Sequence, residues 1–164
     1  MKIYHVKKTE SLKENLWQVL PEMFDDFFEH KETVVSFPIR RNKLHEMRKS
    51  GKPFRYAMEL GEYCFGDEFK NCLEEVKVSL ELMGEIHDAD VMIPDINQHM
   101  KEIRFFNQTI TDSTNRISTK MLRESVISLR DSRRAMFAEL SAKLNAWESE
   151  DFRSRLVKAM VIDN

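Results

Sequence analysis

The stretch Leu44-His-Glu-Met-Arg-Lys-Ser-Gly-Lys-Pro-Phe-Arg-Tyr-Ala-Met-Glu-Leu60 decides how this chain is read. On an α-helix each residue turns about 100°, which gathers His45, Arg48, Lys49, Lys52 and Arg55 into one broad sector. Arg41 joins them if the helix starts early enough. Leu44, Met47, Phe54, Ala57 and Met58 occupy the opposite side, where a core-facing stripe belongs. A helix with one buried side and one cationic side usually has a negative counterpart in front of it, and a single basic stripe otherwise reads as a solvated face. That counterpart is either the chain's own carboxylates or a ligand.

Outward from this helix, charge alternates in blocks. Residues 10–32 carry Glu10, Glu14, Glu22, Asp25, Asp26, Glu29 and Glu32. Residues 40–55 reverse the sign with Arg40, Arg41, Lys43, Arg48, Lys49, Lys52 and Arg55, against Glu46 alone. The chain is acidic again from Glu59 to Asp95, and a second basic run lies between Lys101 and Arg134. Such blocks pair within a fold or build a polarised surface. The net charge of −2 gives no warrant of its own for nucleic acid. Cys64 and Cys72 make no CxxC pair and no disulfide framework, so both read as apolar fillers in a reducing cytoplasm. The N-terminus lacks the apolar core of a signal peptide. No apolar run reaches the roughly 20 residues of a membrane span.

A chain of 164 residues makes one domain, 1–164, with a core of its own. Four glycines, four prolines and no alternating β-branched runs point to an all-α antiparallel helical bundle with long, kinked helices. Residues 1–8 read as an extended or disordered lead. Ser11-Leu-Lys-Glu14 has capping-box spacing and opens a helix to about Lys31, kinked or divided at Pro21. Thr33–Pro38 reads as a connector. The helix holding the opening stretch runs from about 39 to 65, bent between Lys49 and Pro53. Gly66-Asp67 reads as a stop and an N-cap before a helix from Glu68 to about Met83. The segment Gly84–Asp90 is expected to end or interrupt that helix. Asp88 or Asp90 then caps the next one, which carries Pro94 in its first turns and reaches about Phe106. Asn107–Asn115 is the turn, Arg116 to about Ala146 a long helix, and Ser149-Glu-Asp the start of a short last one.

The long helix carries a second stripe. Arg116, Lys120, Arg123, Arg130 and Arg134 fall within about 40° of one line, opposite Met121, Leu122, Leu129, Met136, Leu140 and Leu144. If the two cationic helices are neighbours, their charges converge on one groove and repel one another until a polyanion or acidic partner fills it. Trp17, Trp147 and most Phe and Met read as core. His5, His30 and His99 read as surface residues without partners at ligand spacing.

His45-Glu-Met-Arg48-Lys49-Ser-Gly51-Lys52-Pro-Phe-Arg55-Tyr56, followed by Leu82-Met-Gly84-Glu-Ile-His87-Asp88-Ala-Asp90, resembles the conserved histidine α-helical domain, the CHAD family. The first block is similar to its His-x-x-Arg-Lys-x-Gly-Lys-x-x-Arg-Tyr helix and the second to its Leu-x-Gly-x-x-x-Asp-x-Asp segment. The resemblance spans about residues 40–95. It implies a helical, non-catalytic protein without a cofactor that holds inorganic polyphosphate in a basic groove. By position, it implies that Arg48, Lys49, Lys52 and Arg55 face phosphates and that His45 lies at the groove. Arg41, Arg130 and Arg134 are added from the charge pattern. Family members contain two similar four-helix halves, whereas this chain has room for one and looks most like the second. A homodimer would restore the missing symmetry. Pro53 departs from the polar residue expected on the motif helix.

Two rivals remain open from the residues. His45, His87, Asp88 and Asp90 superficially resemble the metal-holding set of HD-type phosphohydrolases, though a matching final aspartate is not evident. Asp88 and Asp90 are equally explained by capping and by salt bridges to the Arg48 and Arg55 side. The other rival is an interaction module whose basic face docks an acidic protein. Nucleic acid is disfavoured because few aromatics are interleaved with the cations, and no nucleophile motif is present.

Overall fold

The computed structural model describes residues 4–161. Six α-helices follow in order: α1 Leu12–Phe28, α2 Lys31–Ser36, α3 Arg41–Gly61, α4 Asp67–Asn107, α5 Lys120–Ser149 and α6 Phe152–Ala159. Among the described residues there is no strand. The first eight residues fall partly outside the described range, and residues 4–7 carry no regular structure.

Local chemistry sets most of the boundaries. The Ser11 side chain accepts from the Glu14 amide while the Glu14 carboxylate accepts from the Ser11 amide at 2.7 Å, a complete capping box. Pro21 lies within α1 without dividing it. The Thr33–Pro38 segment, expected as a bare connector, instead forms most of the short helix α2. Lys31 at its start is buried and donates to Glu148 at 2.7 Å, tying α2 to the end of α5. Gly66 is the N-cap of α4, one residue before the Asp67 expected there. Arg116 lies in the connection after α4, and α5 begins only at Lys120. Asp151 caps α6 from a left-handed conformation (φ 49°), accepting from the Ser154 amide at 3.2 Å.

The largest departure is α4. Gly84–Asp90 neither ends nor interrupts it, and one helix of 41 residues runs through, about 60 Å long. Its buried positions Met83, Ile86, Ala89, Asp90, Ile93 and Met100 keep steps of three, four and seven without a slip, so core packing holds the helix together across a glycine costing only about 1 kcal/mol. Neither Asp88 nor Asp90 caps anything, and Pro94 lies in the helix interior.

The length of α4 gives the molecule two parts. Its first half packs with α1, α3, α6 and the end of α5 around a single core that includes Phe24, Phe27, Phe54, Trp147 and Phe152. Trp147 is buried and donates its indole N–H to Glu75 at 2.9 Å. Its second half pairs with the first half of α5 in an antiparallel arm, whose own small core holds Ala89, Ile93, Met100 and Val126. A two-helix arm buries one side of each helix, which explains several exposed apolar residues. Met121, read from its spacing as core, is 79 % exposed, and Phe105 and Phe106 are exposed too. Trp17, also read as core, is 49 % exposed on α1.

Gly51 marks the tightest approach in the bundle. A Cβ there would lie 2.6 Å from Leu80 Cδ2 and 2.7 Å from Phe27 Cε2. Its place in the motif is therefore explained by packing of α1 and α4 on α3. Gly51→Ala is expected to destabilise the fold by about 1–3 kcal/mol through overpacking, despite better helix propensity. A urea midpoint equal to or above that of the parent protein would contradict this.

Candidate functional site

Three elements meet where α3 begins. Asp90, 7 % exposed on α4, receives a fork from Arg133 of α5: Nε donates to Oδ1 at 2.7 Å and Nη2 to Oδ2 at 3.1 Å. Arg133 Nη2 also donates to the Pro38 carbonyl at 3.0 Å. Arg41, in the first turn of α3, pairs its Nε with Asp90 Oδ1 at 2.9 Å and donates Nη1 to the Asp90 backbone carbonyl at 3.1 Å. One buried carboxylate thus fixes two guanidiniums and draws α3, α4 and α5 together. A charge-assisted fork of this kind is shorter and stronger than neutral hydrogen bonds. The salt bridges expected from Asp88 and Asp90 to the Arg48 and Arg55 side do not form. Asp90 is committed to Arg41 and Arg133, and Asp88 is exposed mid-helix.

Above this junction lies an open cleft of about 790 Å³, lined by Pro38, Ile39, Arg41, Ile93, Arg130, Arg133, Arg134, Phe137 and Ala138. Four arginines line it, and no carboxylate does among the described residues. Arg134 keeps a long contact with Asp131 at 3.5 Å. Helices α3 and α5 both pack on α4, and Arg41 of α3 lines this cleft together with Arg130, Arg133 and Arg134 of α5.

The remaining motif residues run down α3 beside α4. His45 stacks on His87, ring centroids 4.8 Å apart with 28° between planes. Arg48 crosses α4 at Gly84, where a Cβ would sit 3.2 Å from Nη2. Gly84 therefore gives a guanidinium room to lie across the helix. The buried nitrogens His45 Nδ1 and Arg48 Nε have no hydrogen-bond partner among the described residues. Arg55 approaches Glu59 at 3.3 Å and lies 4.8 Å from the Tyr56 ring centroid. Lys52 is exposed. Lys49 parts company with the others. It lines a groove between α1 and α3 among Asp26, Glu29, His30 and Glu46, because one sector about 120° wide on α3 spans two different neighbours.

His30 and His99, read as surface residues without partners at ligand spacing, approach Glu46 at 3.7 Å and Glu102 at 3.2 Å respectively. The four residues of the metal rival do not assemble: His45 and His87 stack, Asp90 is engaged by arginines, and Asp88 is exposed. Among the described residues no group of three or more His, Cys, Asp or Glu is placed to hold a metal ion.

Arg133 falls between the cationic line and the apolar face of α5, so the charge stripe does not mark it. The signal was there nonetheless. Val126, Leu129, Arg133, Phe137 and Leu140 share one register on α5, and Ile86, Asp90 and Ile93 share one on α4. A cation and a carboxylate each at a core position on neighbouring helices ask to be paired.

The CHAD domain family model matches residues 6–94, more than half of the chain's length. The protein belongs to the CHAD domain family, a class of helical, generally non-catalytic domains associated with polyphosphate binding. Searches of curated proteins and of solved structures each returned no match. The match ends at Pro94, so α5 and the last part of α4 lie outside it. Among the described residues no helix is long and apolar enough to cross a membrane.

Proposed function

We propose that this protein binds inorganic polyphosphate, without catalysis, along a surface that runs from Arg130, Arg134 and Arg41 through His45 and Arg48 to Lys52 and Arg55. The observation that carries the reading is the four-arginine cleft with no carboxylate in its lining. Asp90 is shared by Arg41 and Arg133 and Asp131 lies 3.5 Å from Arg134, so positive charge remains in excess around Arg130, unpaired among the described residues, and a linear polyanion offsets that excess along its length. Arginine forks two phosphate oxygens and lysine acts as a point charge, so such a surface reads charge spacing and needs no base-like recognition. Asp90 supports the reading by fixing Arg41 and Arg133 before ligand arrives. Lys49 is left outside this surface by its acidic surroundings in the α1–α3 groove.

Titration with long-chain polyphosphate, tripolyphosphate and a DNA oligomer at two salt concentrations tests the proposal. Long polyphosphate is expected to bind tightest, and added salt to weaken it steeply, because each neutralised phosphate releases counterions. Arg130→Glu combined with Arg134→Glu is expected to lower affinity at least tenfold with helicity unchanged. No binding at low salt, or a preference for DNA, would overturn it.

Association of two copies completes the proposal. The arm leaves Met92, Phe106 and Met121 exposed on the side away from the cleft, and a second copy is the partner a twofold contact would supply. The mass of a single chain by light scattering at working concentration would remove the dimer. Cys64 and Cys72 are free, and burial pushes the Cys72 thiol pKa up, which keeps it protonated and inert. Both suit a reducing cytoplasm.

A further inference from the structure

The arm beyond the family match separates its charges by side. On α4, Lys101 lies 11 residues after Asp90 and Arg104 lies 11 after Ile93. Eleven residues are three turns to within about 20°, so both cations continue the side of α4 that faces the cleft. Asp88, Asp95 and Glu102 fall within about 40° of one line on the far side. On α5, Arg123 lies seven residues before Arg130, two turns along nearly the same line.

Pairing distinguishes these cations from an ordinary solvated face. Solvent-exposed helices mix their signs at i, i+3 and i+4, as Lys120 with Glu124 and Arg134 with Asp131 do here. Lys101, Arg104, Arg123 and Arg130 have no Asp or Glu three or four residues away on either side. None of the four makes an ion pair among the described residues, although all are exposed. Helices α4 and α5 are antiparallel neighbours through Met100, Val126 and Leu122, so Lys101 and Arg104 lie beside Arg123 along one side of the arm. That side opens directly into the cleft at Arg130.

We infer that the arm is a second binding segment for the same polyanion, with Lys101, Arg104 and Arg123 extending the anion track beyond the cleft and making the protein selective for long phosphate chains. The inference rests on the polyphosphate reading of the cleft. From Arg130 to Arg123 the track gains about 10 Å, too far for a tripolyphosphate seated in the cleft to reach the arm cations while keeping all four arginines. A long chain engages both segments at once. The second then binds at the high effective concentration set by the first, and affinity rises without any change in the cleft.

The test compares the full-length protein with two variants. One carries Lys101→Gln, Arg104→Gln and Arg123→Gln; the other carries Arg130→Gln and Arg134→Gln. Each is titrated with tripolyphosphate and with long-chain polyphosphate, and checked by circular dichroism for unchanged helicity. The arm variant is expected to lose at least tenfold in long-chain affinity, to shed about 2 from the slope of log K against log salt, and to bind tripolyphosphate as the parent does. The cleft variant is expected to lose both ligands. An arm variant that binds long chains like the parent overturns the inference and leaves the cleft reading standing. A parent protein that binds neither ligand overturns both. If the arm variant loses helicity, the single variants Lys101→Gln and Arg123→Gln carry the same comparison, each expected to lower long-chain affinity alone by about two- to fivefold.

Discussion

Asp90→Ala is expected to cost about 3 kcal/mol of folding stability, one of the largest losses available from a single polar side chain in this protein. The reason lies in what the substitution leaves behind. Arg133 is only 16 % exposed at its side chain and would remain largely buried with its fork unmatched, whereas Arg41, 48 % exposed, can turn to water. That asymmetry places the cost at the lower end of the range for breaking a buried pair. Asp90→Asn keeps one acceptor oxygen and is expected to lose less. Arg133→Met, which removes the buried charge along with the fork, is expected to recover much of the loss when combined with Asp90→Ala, because two apolar partners replace an orphaned cation. Chemical denaturation of the two singles and the double gives the coupling directly. Additive losses would show that Asp90 does not act through Arg133.

Phe54→Ala is expected to cost about 3–5 kcal/mol, while Lys52→Glu, two residues away, changes stability by less than about 0.5 kcal/mol. Phe54 is fully buried and lies 5.9 Å, ring centroid to centroid, from both Phe24 and Phe27. It therefore joins α1 to α3, and its removal opens a cavity at the centre of the core. Lys52 stands in solvent. The two substitutions should divide in the opposite way on binding. Lys52→Glu is expected to weaken polyphosphate several-fold at low salt, and Phe54→Ala to leave affinity near the parent value wherever the protein stays folded. Thermal melts together with the titration check both. A large stability loss from Lys52→Glu would mean the residue is built into the fold, contrary to its exposure.

The contrast between Phe54 and Lys52 reflects how much of this protein its sequence determines. Helical class, the capped start of α1, the core side of α3 and the cationic side of α3 all follow from residue type and a turn of about 100°, which are local properties. The continuity of α4 was not legible, because a glycine and an Asp-x-Asp segment are locally poor helix and yet are held by packing against α3 and α5. Nor was the separation of Lys49 from Arg48, since adjacent positions on one face look alike until the neighbours on each side are known. The spacing of Met121 and Trp17 reports a face of a helix but not whether anything covers it.

What the sequence alone determined, then, is which residues carry charge or apolar bulk and on which side of each helix they stand. Only the tertiary structure decided which of those sides meet. Asp90 finds Arg41 across 49 residues of chain and Arg133 across 43, and a carboxylate at a core position names no partner until the helices cross. Long-range electrostatic pairing depends on distance in space, and helical periodicity carries no information about it. The basic helix that organises the reading acquires its cleft from α5, and α5 lies beyond the part of the chain that the family model covers.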